Sequence, residues 1–159
     1  MSDPFQMTEE TLTKAESDAG FATTASDFMF VIDCTHTMQW VLDTICDTIE
    51  EVVDIFEKDN LRMRYGIVEF RDRMYDKPED FALKLHQFGD SSFTEDIEML
   101  KKSLLKLKAE GGGPLKESVF DAIKCAIKNA DWRDDILKIV VLITDAEPRT
   151  PDLEVKSWK

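Results

Sequence analysis

The chain reads as an α/β protein built on a sheet of parallel strands covered on both faces. Two apolar runs and the pattern between them predict it. Phe28-Met-Phe-Val-Ile-Asp33 and Ile139-Val-Val-Leu-Ile-Thr144-Asp145 are continuous apolar stretches that suit buried strands. Each run ends in a polar loop with an aspartate at its tip, and segments of helical spacing lie between the two. A length of 159 residues with 43% hydrophobic content fits one domain around a single core.

Taken in order, residues 1–26 are rich in Asp, Glu, Thr, Ser and Ala and read as a flexible acidic leader, with the domain proper over 27–159. A first strand is expected over 27–33 and a helix over 37–58. Val41, Ile45, Ile49, Val52, Val53 and Phe56 form that helix's apolar stripe, and Thr37 stands where a cap belongs. Residues 62–70 read as a second strand. Pro78 closes a charged turn, and 81–88 alternates with Leu83 and Leu85 inward and His86 in solvent, which predicts an edge strand. The turn is too short for a crossover helix, so this strand should run antiparallel to the second. Helices are expected over 94–109 and 117–130, separated by Gly111-Gly-Gly-Pro114, with Val119, Phe120, Ile123 and Ile127 buried on the later one. Trp132 should pack where it ends, and a last strand spans 137–144.

The formal net charge is -13, from 33 acidic and 20 basic residues. That balance disfavours nucleic-acid binding, which needs a basic face, and docking on an anionic membrane. No stretch is apolar enough over a sufficient length to span a bilayer, and the first residues lack the order of a signal peptide, so a cytoplasmic protein is expected. Cys34, Cys46 and Cys125 are widely spaced without zinc-site spacing, which predicts reduced, mostly buried thiols.

If the two apolar strands are parallel neighbours, Asp33 and Asp145 face one crevice at the carboxyl ends, where open α/β sheets bind ligands. Asp33-Cys-Thr35-His-Thr37 places three oxygen-bearing side chains on alternate residues, so they can converge on one ion. Hard oxygen donors suit Mg²⁺ or Mn²⁺ better than zinc, and Mg²⁺ usually keeps waters. A position is thereby left open to a carboxylate from another molecule.

That loop resembles the Asp-x-Ser/Thr-x-Ser/Thr metal loop of the von Willebrand factor A family. Ile143-Thr144-Asp145-Ala146-Glu-Pro148 resembles the family's second acidic loop, and Tyr65-Gly-Ile-Val-Glu-Phe-Arg71-Asp72 and Asp131-Trp132-Arg133 resemble segments of an intracellular-type subgroup. The resemblance covers about residues 27–148. It implies a three-layer, doubly wound Rossmann-like sheet with helices on both faces, strand order 3-2-1-4 and strand 3 antiparallel. It also implies a metal-ion-dependent adhesion site and protein binding without catalysis. Carried over, Asp33, Thr35, Thr37 and Asp145 are the metal ligands, some through water, for Mg²⁺ or Mn²⁺. The visitor is another protein's Asp or Glu, faced by His36, Met38, Pro114 and Glu147, and no residue is catalytic.

Two departures stand out. The subgroup's loop reads Gly-Gly-Gly-Asp-x-Pro-Glu, whereas this chain reads Gly111-Gly-Gly-Pro114-Leu-Lys-Glu117, so Pro114 occupies the place of an acidic ligand and the site is partly degenerate. Water, a glycine carbonyl or Ser118 are the candidates to replace it. Family members also continue beyond the fourth strand, whereas here that strand would keep a naked edge, incomplete at the C-terminus and open to a partner or a second copy.

An apolar strand ending in Asp also suits a haloacid-dehalogenase-like, Mg²⁺-dependent phosphatase. Its motif needs a second Asp as general acid at the position Thr35 holds, and a hydroxyl cannot take that part near neutral pH. The triple glycine lacks the GxxxxGKS/T of a phosphate loop.

Overall fold

A computed structural model describes residues 25–59, 61–113 and 116–149. Its main sheet has four strands: β1 (Ser26–Asp33), β2 (Met63–Phe70), β3 (Leu83–Leu85) and β5 (Leu137–Ile143), in the order β3-β2-β1-β5. β1 runs parallel to both β2 and β5, and β3 is antiparallel to β2. This is the expected 3-2-1-4 arrangement; the fourth large strand becomes β5 because a two-residue strand, β4 (Lys116–Glu117), precedes it.

The central place of β1 explains its unbroken apolar sequence. Phe30 and Ile32 face α1 (Leu42–Lys58) and α3 (Ile97–Leu104), sharing a core with Leu42, Ile49, Val53, Leu100 and Leu104. Met29 and Val31 face the other way, onto Phe93 and onto Val119, Ala122 and Ala126 of α4 (Val119–Asn129). Helices therefore cover both faces. The amino end of the sheet is fixed by Asp27, whose buried carboxylate accepts from Arg64 Nε at 2.9 Å, Arg64 Nη2 at 2.7 Å and the Arg133 backbone N–H at 2.9 Å. Trp132 packs at the end of α4 as expected, donating from Nε1 to the Ala126 carbonyl at 2.8 Å and meeting Phe93 edge-on.

Several boundaries move for identifiable reasons. The first helix does not begin at residue 37: a 3₁₀ turn over His36–Trp40 comes first, and the Thr37 side chain caps nothing because its hydroxyl is engaged in the loop. α3 is shorter than the expected 94–109. Asp96 caps it by accepting from the Met99 N–H at 3.1 Å, and Thr94 is held in backbone hydrogen bonds with Tyr65. Beyond it, Arg71 draws the chain aside by donating to the carbonyls of Lys108 and Glu110, both at 2.8 Å. The expected edge strand over 81–88 is a short helix, α2 (Glu79–Ala82), followed by β3. His86 is not solvated: it is buried, 3.2 Å from Glu69 Oε1. Ile127 is half exposed rather than buried, and the inner face of α4 is carried by Ala122, Cys125 and Ala126. All three cysteines are free and buried.

Candidate metal site

β1 and β5 are parallel, with Ile32 opposite Ile143. That register sets the residues that follow, Asp33 and Thr144, side by side. Thr144 Oγ1 donates to Asp33 Oδ2 at 2.6 Å. Asp33 Oδ1 accepts from the Thr35 N–H at 2.9 Å and from Thr35 Oγ1 at 2.7 Å, an Asx-type turn that folds the loop back onto its own carboxylate. Thr35 Oγ1 lies 3.1 Å from Thr37 Oγ1, and Thr37 Oγ1 donates to Asp145 Oδ1 at 3.2 Å. The four expected ligands thus form one row of close oxygen contacts between the two strand ends: each hydroxyl gives its single proton to an aspartate, so Thr35 Oγ1 and Thr37 Oγ1 meet as two oxygens without a proton between them. Asp33 and Thr35 are buried while Thr37 and Asp145 are exposed, so the row runs from the core to the surface.

The glycine loop lies against this row. His36 N–H donates to the Gly111 carbonyl at 2.9 Å and Glu110 N–H to the Cys34 carbonyl at 3.0 Å. Asp76 Oδ2 accepts from the Gly112 N–H at 2.8 Å, and Asp72 is paired with Arg149. Gly112 has φ +104°, and a Cβ there would lie 2.9 Å from Thr35 Cβ, so only bare backbone fits. A two-strand parallel ladder closes the other side, β4 pairing with β6 (Glu147–Pro148), with Arg149 N–H donating to the Glu117 carbonyl at 2.9 Å. A cleft of about 450 Å³ opens between these parts, lined by Thr37, Gly113, Lys116, Glu117, Asp145 and Glu147.

Sequence reasoning missed Glu117. It is 4% exposed; Oε1 accepts from the Gly113 N–H at 3.1 Å, while Oε2 is buried without a hydrogen-bond partner among the described residues. Burial pushes its carboxyl up, the Gly113 N–H pulls it back, and the charges of Asp33, Asp72 and Asp76 push it further, to about 7. One signal was present: the subgroup's loop ends in Glu, and Glu117 keeps that place although the loop's Asp is Pro114 here. Thr144, which holds Asp33, was also not singled out.

The residues expected to face a visitor divide. His36 and Glu147 are exposed, with Glu147 Oε2 3.9 Å from Lys116 Nζ. Met38 is 2% exposed and packs inside, so it has no surface to offer; the exposed apolar side chain of the same 3₁₀ turn is Trp40, at 91%. Pro114 lies outside the described residues. Ser118 does not stand in for a lost ligand: its Oγ accepts from the Arg73 N–H at 3.1 Å. Cys34 is buried, and burial first, then the Glu69 charge, pushes its thiol up to about 12, unsuited to nucleophilic use.

Among the described residues no three His, Cys, Asp or Glu side chains form a ready cage for a metal. The converging donors are instead carboxylates and hydroxyls, the hard oxygens that Mg²⁺ and Mn²⁺ prefer. The chemistry of the donor set fits such an ion.

A family model described as von Willebrand factor A domain matches residues 27–157. No curated protein matches the chain significantly.

Proposed function

The chain belongs to the von Willebrand factor A domain family, whose members are protein-interaction modules that commonly bind a divalent metal, and from that premise we propose that it binds a partner protein through a Mg²⁺- or Mn²⁺-dependent site at the strand carboxyl ends. The observation that carries the proposal is the row of oxygens Asp33–Thr35–Thr37–Asp145, which spans two strands and reaches an open cleft. Asp33, Thr35, Thr37 and Asp145 hold the ion, directly or through water. When bound, it supplies positive charge with a position open to an oxygen from outside.

The partner group is an Asp or Glu side chain. The cleft wall carries Asp145, Glu147 and Glu117 against one lysine, Lys116, so an approaching carboxylate meets net repulsion until a cation is present. This makes capture metal-dependent rather than metal-enhanced. Exposed Glu147 in the cleft, with exposed His36 and Trp40 on the 3₁₀ turn after the Asp33 loop, selects the partner. The site is a binding site and not a catalytic one: the side chain two residues past Asp33 is a threonine that donates to Asp33, where a phosphatase needs its general acid. The outer edge of β5, with Leu137, Val140 and Leu142 exposed, offers a second contact along which another copy of the chain pairs. A cytoplasmic setting is supported by three free, buried thiols; no helix among the described residues is long and apolar enough to cross a membrane.

The test is thermal unfolding and partner capture with Mg²⁺, with Mn²⁺ and with chelator. Divalent ion should raise the melting temperature and permit capture, and Asp33→Ala should abolish both while the circular dichroism of the sheet persists. Identical melting and capture with ion and with chelator would end the proposal.

A further inference from the structure

We infer that the open groove between α1 and β5 receives an amphipathic helix of a partner protein, its apolar face bordered by lysine or arginine. The groove lies on the sheet face that α1 covers and holds about 300 Å³. Phe28 and Phe30 of β1 and Val141 and Ile143 of β5 form its floor. Its presence follows from uneven cover. β1 is buried apart from Phe28, whereas no residue of the apolar β5 is fully buried. An apolar surface of this kind, rimmed by polar residues, marks a place for another chain.

The wall dictates the shape of the occupant. Ile45, Thr48 and Val52 line it at helical spacing, and exposed Ile55 continues the stripe, about 15 Å from end to end. Thr48 turns its hydroxyl back to the Thr44 carbonyl at 2.8 Å, so it demands no polar partner from an occupant. A helix laid beside α1 over β5 fills the layer at the usual interaxial distance of about 8–10 Å. An added strand does not: it extends the sheet in its own plane and leaves the groove open.

Charge selects among helices. Residues three apart are neighbours on a helix, so Asp47 stands beside Thr44 and Glu51 beside Thr48, at the groove's edge. Both are exposed and form no ion pair among the described residues, whereas Glu50 and Asp54 on the same helix are answered by Lys101. Cations from the occupant complete them, and a net charge of -13 favours a basic partner. The chain's own segments suit the groove poorly. Residues 1–24 carry five carboxylates against one lysine. Residues 150–159 leave from Arg149, whose N–H is tied to Glu117 just before α4, on the opposite face of the sheet. A second copy pairing along β5 is the in-plane case and leaves the groove unfilled.

The experiment follows the fluorescence anisotropy of a labelled peptide of about 18 residues, with leucines on one helical face bordered by lysines. It is titrated with the full 159-residue chain in chelator, because the groove needs no metal. Binding to the wild type is expected, with none by a shuffled peptide of the same composition or by one carrying glutamate in place of lysine. Asp47→Asn combined with Glu51→Gln should weaken it about fivefold or more, the scale of two exposed ion pairs. Thr48→Lys, which sets a like charge in the groove at an exposed position, should weaken it about tenfold or more. The neutral pair decides alone if Thr48→Lys fails to fold. No binding by the wild type, equal binding of the shuffled or the glutamate peptide, or affinity within about twofold of wild type in either folded variant overturns the inference. Hydrogen exchange and sedimentation separate the other occupants. Protection of residues 1–24 or 150–159 that Thr48→Lys removes, or a dimer that it dissolves, puts the chain itself in the groove and overturns the inference too.

Discussion

Replacing Gly112 by alanine tests whether the glycine loop shapes the site. Gly112 has φ +104°, and its added Cβ would meet Thr35 Cβ at 2.9 Å, Thr35 Cγ2 at 3.0 Å and Glu117 Oε1 at 3.1 Å. Backbone strain at such a φ costs about 1–3 kcal/mol. The contacts add overpacking of similar size, about 1–3 kcal/mol, because Thr35 is buried and tied to Asp33 by both its N–H and its hydroxyl. A total near 3 kcal/mol is expected. At a urea slope of about 2 kcal/mol/M, the unfolding midpoint falls by about 1.5 M. Gly89→Ala is the control: Gly89 has φ +74° but nothing within 4 Å of its Cβ position. It carries the backbone term alone, about 1–2 kcal/mol. The excess at Gly112 therefore measures the close approach to Thr35 and Glu117. Equal midpoints for the two variants would refute the claim that bare backbone is needed there.

Arg71→Lys should destabilise the fold by about 2–4 kcal/mol in urea unfolding, because the guanidinium donates to the carbonyls of Phe81, Lys108 and Glu110 at 2.7–2.8 Å and an ammonium cannot span all three; a loss under about 0.5 kcal/mol would show that these bonds do not hold the segment. Glu69 is expected to shape the acid limb of stability. Burial raises its pKa, but the His86 hydrogen bond and the charges of His86, Arg71 and Lys84 outweigh that and bring it down to about 2 from the ordinary 4.5. Its contribution is therefore complete above about pH 4.5 and is lost as pH falls toward 2, an effect on the order of 3 kcal/mol. Glu69→Gln should flatten this part of the stability-against-pH curve, and an unchanged slope would remove Glu69 as its source.

The central sheet was legible because its physics is local and strong. β1 is flanked on both sides and covered on both faces, so every position from Met29 to Ile32 must be apolar, and the sequence shows that directly. Boundaries were less legible where a distant side chain decides them. α3 closes in tighter turns, Lys106 N–H donating to the Ser103 carbonyl and Leu107 N–H to the Leu104 carbonyl, and the chain beyond is held by Arg71, more than thirty positions earlier, through the carbonyls of Lys108 and Glu110. His86 alternates as an outward residue should, yet Glu69 on the neighbouring strand draws it in. Alternation reports which face a residue is on, not whether that face is covered.

The site divides along the same line. Asp33, Thr35 and Thr37 are spaced two apart in one loop, and that spacing alone suggests convergence. Asp145 needed the added premise that β1 and β5 are parallel neighbours, and the register supplies it. Glu117 needed more. Its place depends on β4 and β6, two-residue strands too short to leave any hydrophobic period, and on three glycines whose role is to be absent as side chains. A gap of 30 residues separates Glu117 from its ladder partner Pro148, and no pairing rule reads across it. Such a residue is found from its consequence instead. A buried carboxyl with an unpartnered oxygen, pushed up to about 7 by burial and by the charges of Asp33, Asp72 and Asp76, becomes visible only once burial and partners are known.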